Sequence, residues 1–77
     1  MSDTHIILGN NIRKYRLRRG FTQEQLAEAS GVSEAYLSKL EAGRRNPTVK
    51  VLAKIASVLG TTLTKLFEPW EQRYSTN

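Results

Sequence analysis

The sequence predicts an all-α domain made of five short helices, and three observations carry that prediction. Apolar residues recur at spacings of three and four, while β-branched residues do not alternate with polar ones as they would in a strand. A Thr or Ser stands in N-cap position ahead of the second to fifth segments: Thr22, Ser33, Thr48 and Thr62. Each segment then closes on a residue that stops helices: Gly20, Gly31, Gly43, Gly60 and Pro69.

The first helix is expected from Ile7 to Arg19. Leu8, Ile12 and Tyr15 fall on one face, and Arg13, Lys14, Arg18 and Arg19 occupy the others. The second runs from Gln23 to about Ala29. Thr22 and Gln25 make a capping box, and Phe21 and Leu26 make a hydrophobic staple around it. Ser30-Gly31-Val32 is a turn in which Gly31 can adopt positive φ. The third runs from Glu34 to about Glu41, capped by Ser33, with Val32 and Leu37 repeating the staple. Arg44-Arg45-Asn46-Pro47 follows as an exposed basic loop. The fourth helix, Val49 to Leu59, places Leu52, Ile55, Ala56 and Leu59 on one stripe. The fifth, Leu63 to about Glu68, has Leu63, Leu66 and Phe67 on one side and ends at Pro69.

A chain of 77 residues holds one domain, here residues 1–69, followed by a short tail at 70–77. Twelve Lys and Arg against seven Asp and Glu leave a net charge of +5. In so small a domain that is the footprint of a polyanion-binding surface. Catalysis is poorly provisioned: there is one His (His5, in a segment expected to fray), one Asp and no Cys, and no nucleophile–base or phosphate-loop motif. No cofactor and no metal are expected. No apolar run exceeds three residues, the length of Ile6 to Leu8, so no membrane span is expected, and with no visible signal peptide the expected location is the cytoplasm.

The informative stretch is Phe21 to Glu41, two helices joined by a tight glycine-containing turn. Ala27 is small enough to let them approach. Leu26, Val32, Leu37 and Leu40 are expected to anchor the pair. That leaves Glu34, Ala35, Ser38, Lys39 and the Tyr36 hydroxyl on the outer face of helix 3, suited to a major groove about 12 Å wide.

The segment FTQEQLAEASGVSEAYLSKLEAGRRNPTVKVLAKIASVLGTTLTKLF resembles the helix-turn-helix of the lambda-repressor/Cro-like (Xre) family of bacterial and phage regulators. With Asn11 to Gly20 ahead of it, the resemblance covers nearly the whole chain. The pattern TQ-x-x-LA-x-x-x-GVS-x-x-YLS-x-LE-x-G-x-R-x-P is dense and specific. It implies a compact five-helix fold, often dimeric, with helix 3 as the recognition helix. The size, basic loop and tail are similar to restriction-modification controller proteins and to small phage-type repressors.

The resemblance implies a sequence-specific transcriptional regulator that binds double-stranded DNA, in all expectation a palindromic operator, as a homodimer. Contact with RNA polymerase is one route to regulation. The alternative is the antitoxin of a toxin–antitoxin pair, which regulates its own operon and also binds a toxin. Gln23 is placed against the DNA backbone, at the positive end of helix 2; the plainer alternative is a solvent-facing Gln. Ser33 can cap its helix and also reach a phosphate. Lys39 can address guanine and Glu34 cytosine, Ala35 can touch a thymine methyl, and Ser38 completes the set. Many family members carry Gln or Arg where this chain has Glu34, and an acid there can equally serve the helix dipole alone. Tyr36 either closes the core edge or bonds a phosphate. Arg44, Arg45 and Asn46 either contact phosphates or are simply solvated. Arg16 and Glu41 are implied to form a structural ion pair. Leu63, Leu66, Phe67 and Trp70 are expected at a dimer interface, the alternative being that they close the monomer core.

Overall fold

The computed structural model describes residues 3–69. Among them every regular element is a helix: α1 Asp3–Arg18, α2 Gln23–Ser30, α3 Glu34–Glu41, α4 Val49–Leu59 and α5 Leu63–Leu66. Expectations placed on Trp70 and the rest of the 70–77 tail lie outside the described residues.

The four caps read from sequence are all present. Thr22 accepts from the Gln25 N–H at 3.0 Å, and Gln25 Oε1 accepts from the Thr22 N–H at 2.9 Å, closing the box. Ser33, Thr48 and Thr62 accept from the N–H groups of Tyr36, Val51 and Lys65. Gly31 takes a left-handed φ of 73°, and the Val32 N–H then closes on the Ala27 carbonyl at 3.0 Å. A side chain is disfavoured in that conformation, so glycine makes this tight turn cheap.

Two elements differ from expectation. The first helix begins at Asp3, not Ile7, so His5 is half-buried within a helix instead of in a frayed end. Asp3 complements the positive end of the helix. The added turn also packs: Ile6 lies against Gly43, whose Cβ, if it had one, would sit 3.3 Å from the Ile6 Cα. The fifth helix stops at Leu66 instead of Glu68. At that end the side-chain amide nitrogen of Asn11 from α1 donates to the Leu66 carbonyl at 2.8 Å and the Glu68 carbonyl at 2.6 Å. These carbonyls bond across the domain, and Pro69 has no N–H with which to continue the helix.

The core draws on all five helices. Leu8 and Ile12 come from α1, Leu26 and Ala27 from α2, and Leu37 and Leu40 from α3. Leu52, Ile55, Ala56 and Leu59 come from α4, and Leu66 from α5. α3 packs on α1 and α2, α2 on α4, and α5 closes the gap between α1 and α4. Leu66 is fully buried inside the chain, which removes it from the expected dimer contacts. Leu63 is half-buried against the same core, and Phe67 is 42% exposed.

One close approach sets the position of α3. A Cβ on Gly9 would lie 2.5 Å from the Leu40 carbonyl oxygen and 2.6 Å from that of Glu41. The backbones of α1 and the end of α3 therefore touch where only glycine fits. The spacing around Gly9 suggests no phosphate loop, and its use is this helix crossing.

Candidate nucleic-acid interface

α3 has two sharply different faces. Leu37 and Leu40 are fully buried, while Glu34, Ala35, Ser38 and Lys39 are exposed. Burying a leucine contributes about 1.5–3 kcal/mol, so rolling α3 to hide its polar face would forfeit several kcal/mol. The outward presentation of the four polar-face residues is thus fixed by the core beneath them.

The loop after α3 is tied back to it. Gly43 adopts a φ of 77°, which lets the Arg44 N–H reach the Lys39 carbonyl at 2.9 Å and the Gly43 N–H reach Leu40 at 3.1 Å. Arg44, Arg45 and Asn46 are exposed immediately beyond. The Arg45 guanidinium lies over the Tyr36 ring, 4.9 Å from its centroid, a cation–π arrangement that holds a loop charge beside the helix. Tyr36 is half-buried, packed on the core edge under that charge.

Gln23 opens α2 beside this surface and is neither fully solvated nor free. Its Nε2 donates to Glu41 Oε1 at 3.0 Å. Glu41 is in turn held by Arg16, from Nε to Oε2 at 2.6 Å and from Nη2 to Oε1 at 3.1 Å. Arg16 Nη1 also donates to the Phe21 carbonyl at 2.9 Å. Arg16 and Glu41 are each 8% exposed, so the implied ion pair is present and buried. Ser33 uses its oxygen to cap α3, which leaves its hydroxyl hydrogen as a donor.

The surface is chemically simple: cations and short polar groups on and beside a helix. No group of three or more His, Cys, Asp or Glu that could hold a metal ion occurs among the described residues. No helix among them is long and apolar enough to cross a membrane. A groove of about 560 Å³ runs along α1 past Ile7, Arg13, Leu17 and Pro69, and shares no residue with α3 or its loop.

Sequence reasoning placed α3 and its loop together and missed three connections: Gln23 to Glu41, Arg45 to Tyr36, and Asn11 to α5. A signal existed for the last. Asn11 interrupts the apolar stripe of Leu8, Ile12 and Tyr15, and a polar residue on a buried face needs a partner.

Residues 12–66 match the family model described as "Helix-turn-helix". The chain is 41% identical over 70 residues to an uncharacterized HTH-type transcriptional regulator, y4dJ, of Sinorhizobium fredii, covering 91% of each. It is 45% identical over 69 residues to the HTH-type transcriptional regulator SlrR of Bacillus subtilis, covering 88% of this chain and 45% of that one. Among solved structures it is similar to the restriction-modification controller protein C.AhdI from Aeromonas hydrophila, with a TM-score of 0.77 and 32% identity over 80% of this chain and 94% of that one. It is also similar to the biofilm master regulator SinR, solved in complex with DNA, with a TM-score of 0.75 and 34% identity over 79% and 98% of the two chains. The chain belongs to the helix-turn-helix family of the lambda-repressor/Cro-like (Xre) type, a class of DNA-binding transcriptional regulators and not of enzymes.

Proposed function

We propose that this protein is a sequence-specific regulator of transcription that lodges α3 in the major groove of a palindromic operator as a homodimer. The observation that carries this reading is the pair of faces on α3: Leu37 and Leu40 held in the core, and Glu34, Ala35, Ser38 and Lys39 turned out beside Arg44 and Arg45. Lys39 is assigned to guanine O6 and N7, Glu34 to a cytosine amino group, Ala35 to a thymine methyl and Ser38 to a base edge. Gln23, Ser33, Tyr36, Arg44, Arg45 and Asn46 are assigned to phosphates, which set register without reading sequence. Tyr36 keeps its hydroxyl for this role while its ring carries Arg45.

Leu63 and Phe67, with Trp70 beyond the described residues, are the candidates for the contact between protomers. A two-fold dimer would set two copies of α3 about 34 Å apart, on successive major grooves. The likeness to the restriction-modification controller protein C.AhdI supports a controller of this kind. Regulation would follow from occlusion of RNA polymerase or from contact with it.

Selection of binding sites from a random duplex pool tests the reading. Two half-sites related by a two-fold and spaced by one helical turn are expected, with affinity falling steeply as salt rises. Equal binding to the selected duplex and a shuffled one would overturn it. Sedimentation of Phe67→Asp tests the interface, with a shift toward monomer expected.

A further inference from the structure

Arg16, Glu41 and Gln23 form a continuous run of hydrogen bonds from the domain interior to the edge of the candidate interface. We propose that the Arg16–Glu41 pair is a positioning element for backbone recognition: it sets which end of the Gln23 amide meets a phosphate. The proposal rests on the reading of the α2 N-terminus as a phosphate contact.

A terminal amide has an oxygen and a nitrogen of nearly equal size and can present either. Only the N–H end can meet a phosphate, since the oxygen would face another acceptor. Glu41 resolves that choice. An ionised carboxylate accepts and cannot donate, so it holds Nε2 and rejects the flipped amide. Nε2 carries two hydrogens; Glu41 takes one and the second remains for the duplex.

Glu41 can act this way because it is itself immobile. Arg16 grips both of its oxygens, and the two side chains are 10% and 4% exposed. The guanidinium also neutralises a carboxylate that would otherwise repel nearby phosphates. Its remaining reach goes to the Phe21 carbonyl, directly ahead of the α2 cap. Glu41 is the last residue of α3, so one buried arginine references the start of α2 and the end of α3 to each other. Those two points must engage the same duplex. Fixing a rotamer-rich side chain before binding is worth about three- to tenfold in affinity.

The test is a double-mutant cycle on binding to a duplex recovered from a random pool by the full chain, using Gln23→Ala, Glu41→Gln and both together. In the native background Gln23→Ala should weaken binding by about tenfold. With Glu41→Gln, whose amide can face Gln23 either way round, the same substitution should cost no more than about twofold. An equal loss in both backgrounds would overturn the proposal. The Gln23 side-chain NH₂ resonances give a readout that stability alone does not move. They should be distinct and slowly averaging in the folded native chain, and should collapse toward exposed-glutamine values in folded Glu41→Gln; unchanged resonances would also overturn it. If Glu41→Gln does not fold, Arg16→Lys takes its place in the cycle, keeping the charge and losing the two-point grip. Failure to recover any duplex from the pool would remove the DNA reading itself, and this proposal with it.

Discussion

Gly9 and Leu40 meet backbone to backbone: a Cβ on Gly9 would lie 2.5 Å from the Leu40 carbonyl oxygen. Alanine at this position should therefore destabilise the domain by about 3 kcal/mol, because two helices must separate to admit one methyl group. Helix propensity acts in the opposite direction, favouring alanine by about 1 kcal/mol. Urea denaturation decides between the two. A midpoint that rises in Gly9→Ala would show that α1 and α3 are not in contact there.

Asn11 should prove structural and not part of recognition. Asn11→Ala leaves the buried Leu66 carbonyl without its donor and should cost about 1–3 kcal/mol. Its exposed neighbour gives the control, since Asn10→Ala should change stability by less than about 0.5 kcal/mol. Similar thermal midpoints for the two variants would contradict the bond to α5.

Ser30 is buried at 2% exposure, and its Oγ has no hydrogen-bond partner among the described residues. Ser30→Ala removes an unsatisfied hydroxyl and improves helix propensity, so it should stabilise the chain by up to about 1 kcal/mol. Calorimetry of the purified variant checks this. A lower melting temperature would mean that the hydroxyl has a partner in solution.

Lys39 and Arg44 should separate base reading from phosphate attraction. Lys39→Ala should weaken binding to the selected operator by about tenfold and relax preference at one base position. Arg44→Ala should weaken binding to all duplexes alike and lower the logarithmic salt slope by about 0.9. Binding titrations across a salt series, on selected and shuffled duplexes, distinguish these. Equal losses on both duplexes for Lys39→Ala would contradict its reading role.

Much of the fold was legible because its determinants act within one helical turn. Thr22 reaches only to Gln25, and Ser33 only to Tyr36, so each cap declares its helix locally. The two faces of α3 were legible for the same reason: Leu37 and Leu40 share one side at helical spacing, and Lys39 falls on another. The start of α1 was not, since its first turn is held partly by Ile6 against Gly43, far along the chain. Leu66 misled because an apolar stripe shows what must be buried without showing against which partner.

The sequence by itself determined the class of protein: helices with their own start and stop signals, a motif dense enough to mark the family, and positive charge set beside a polar helix face. Tertiary structure alone decided what Gly9, Asn11 and Gln23 do. Each of them acts on a group 18 or more residues away, whose position exists only once the core has closed. Hydrogen bonds and backbone clearances are short-ranged forces between atoms, and local spacing in a chain carries no record of which distant atoms folding will bring within reach.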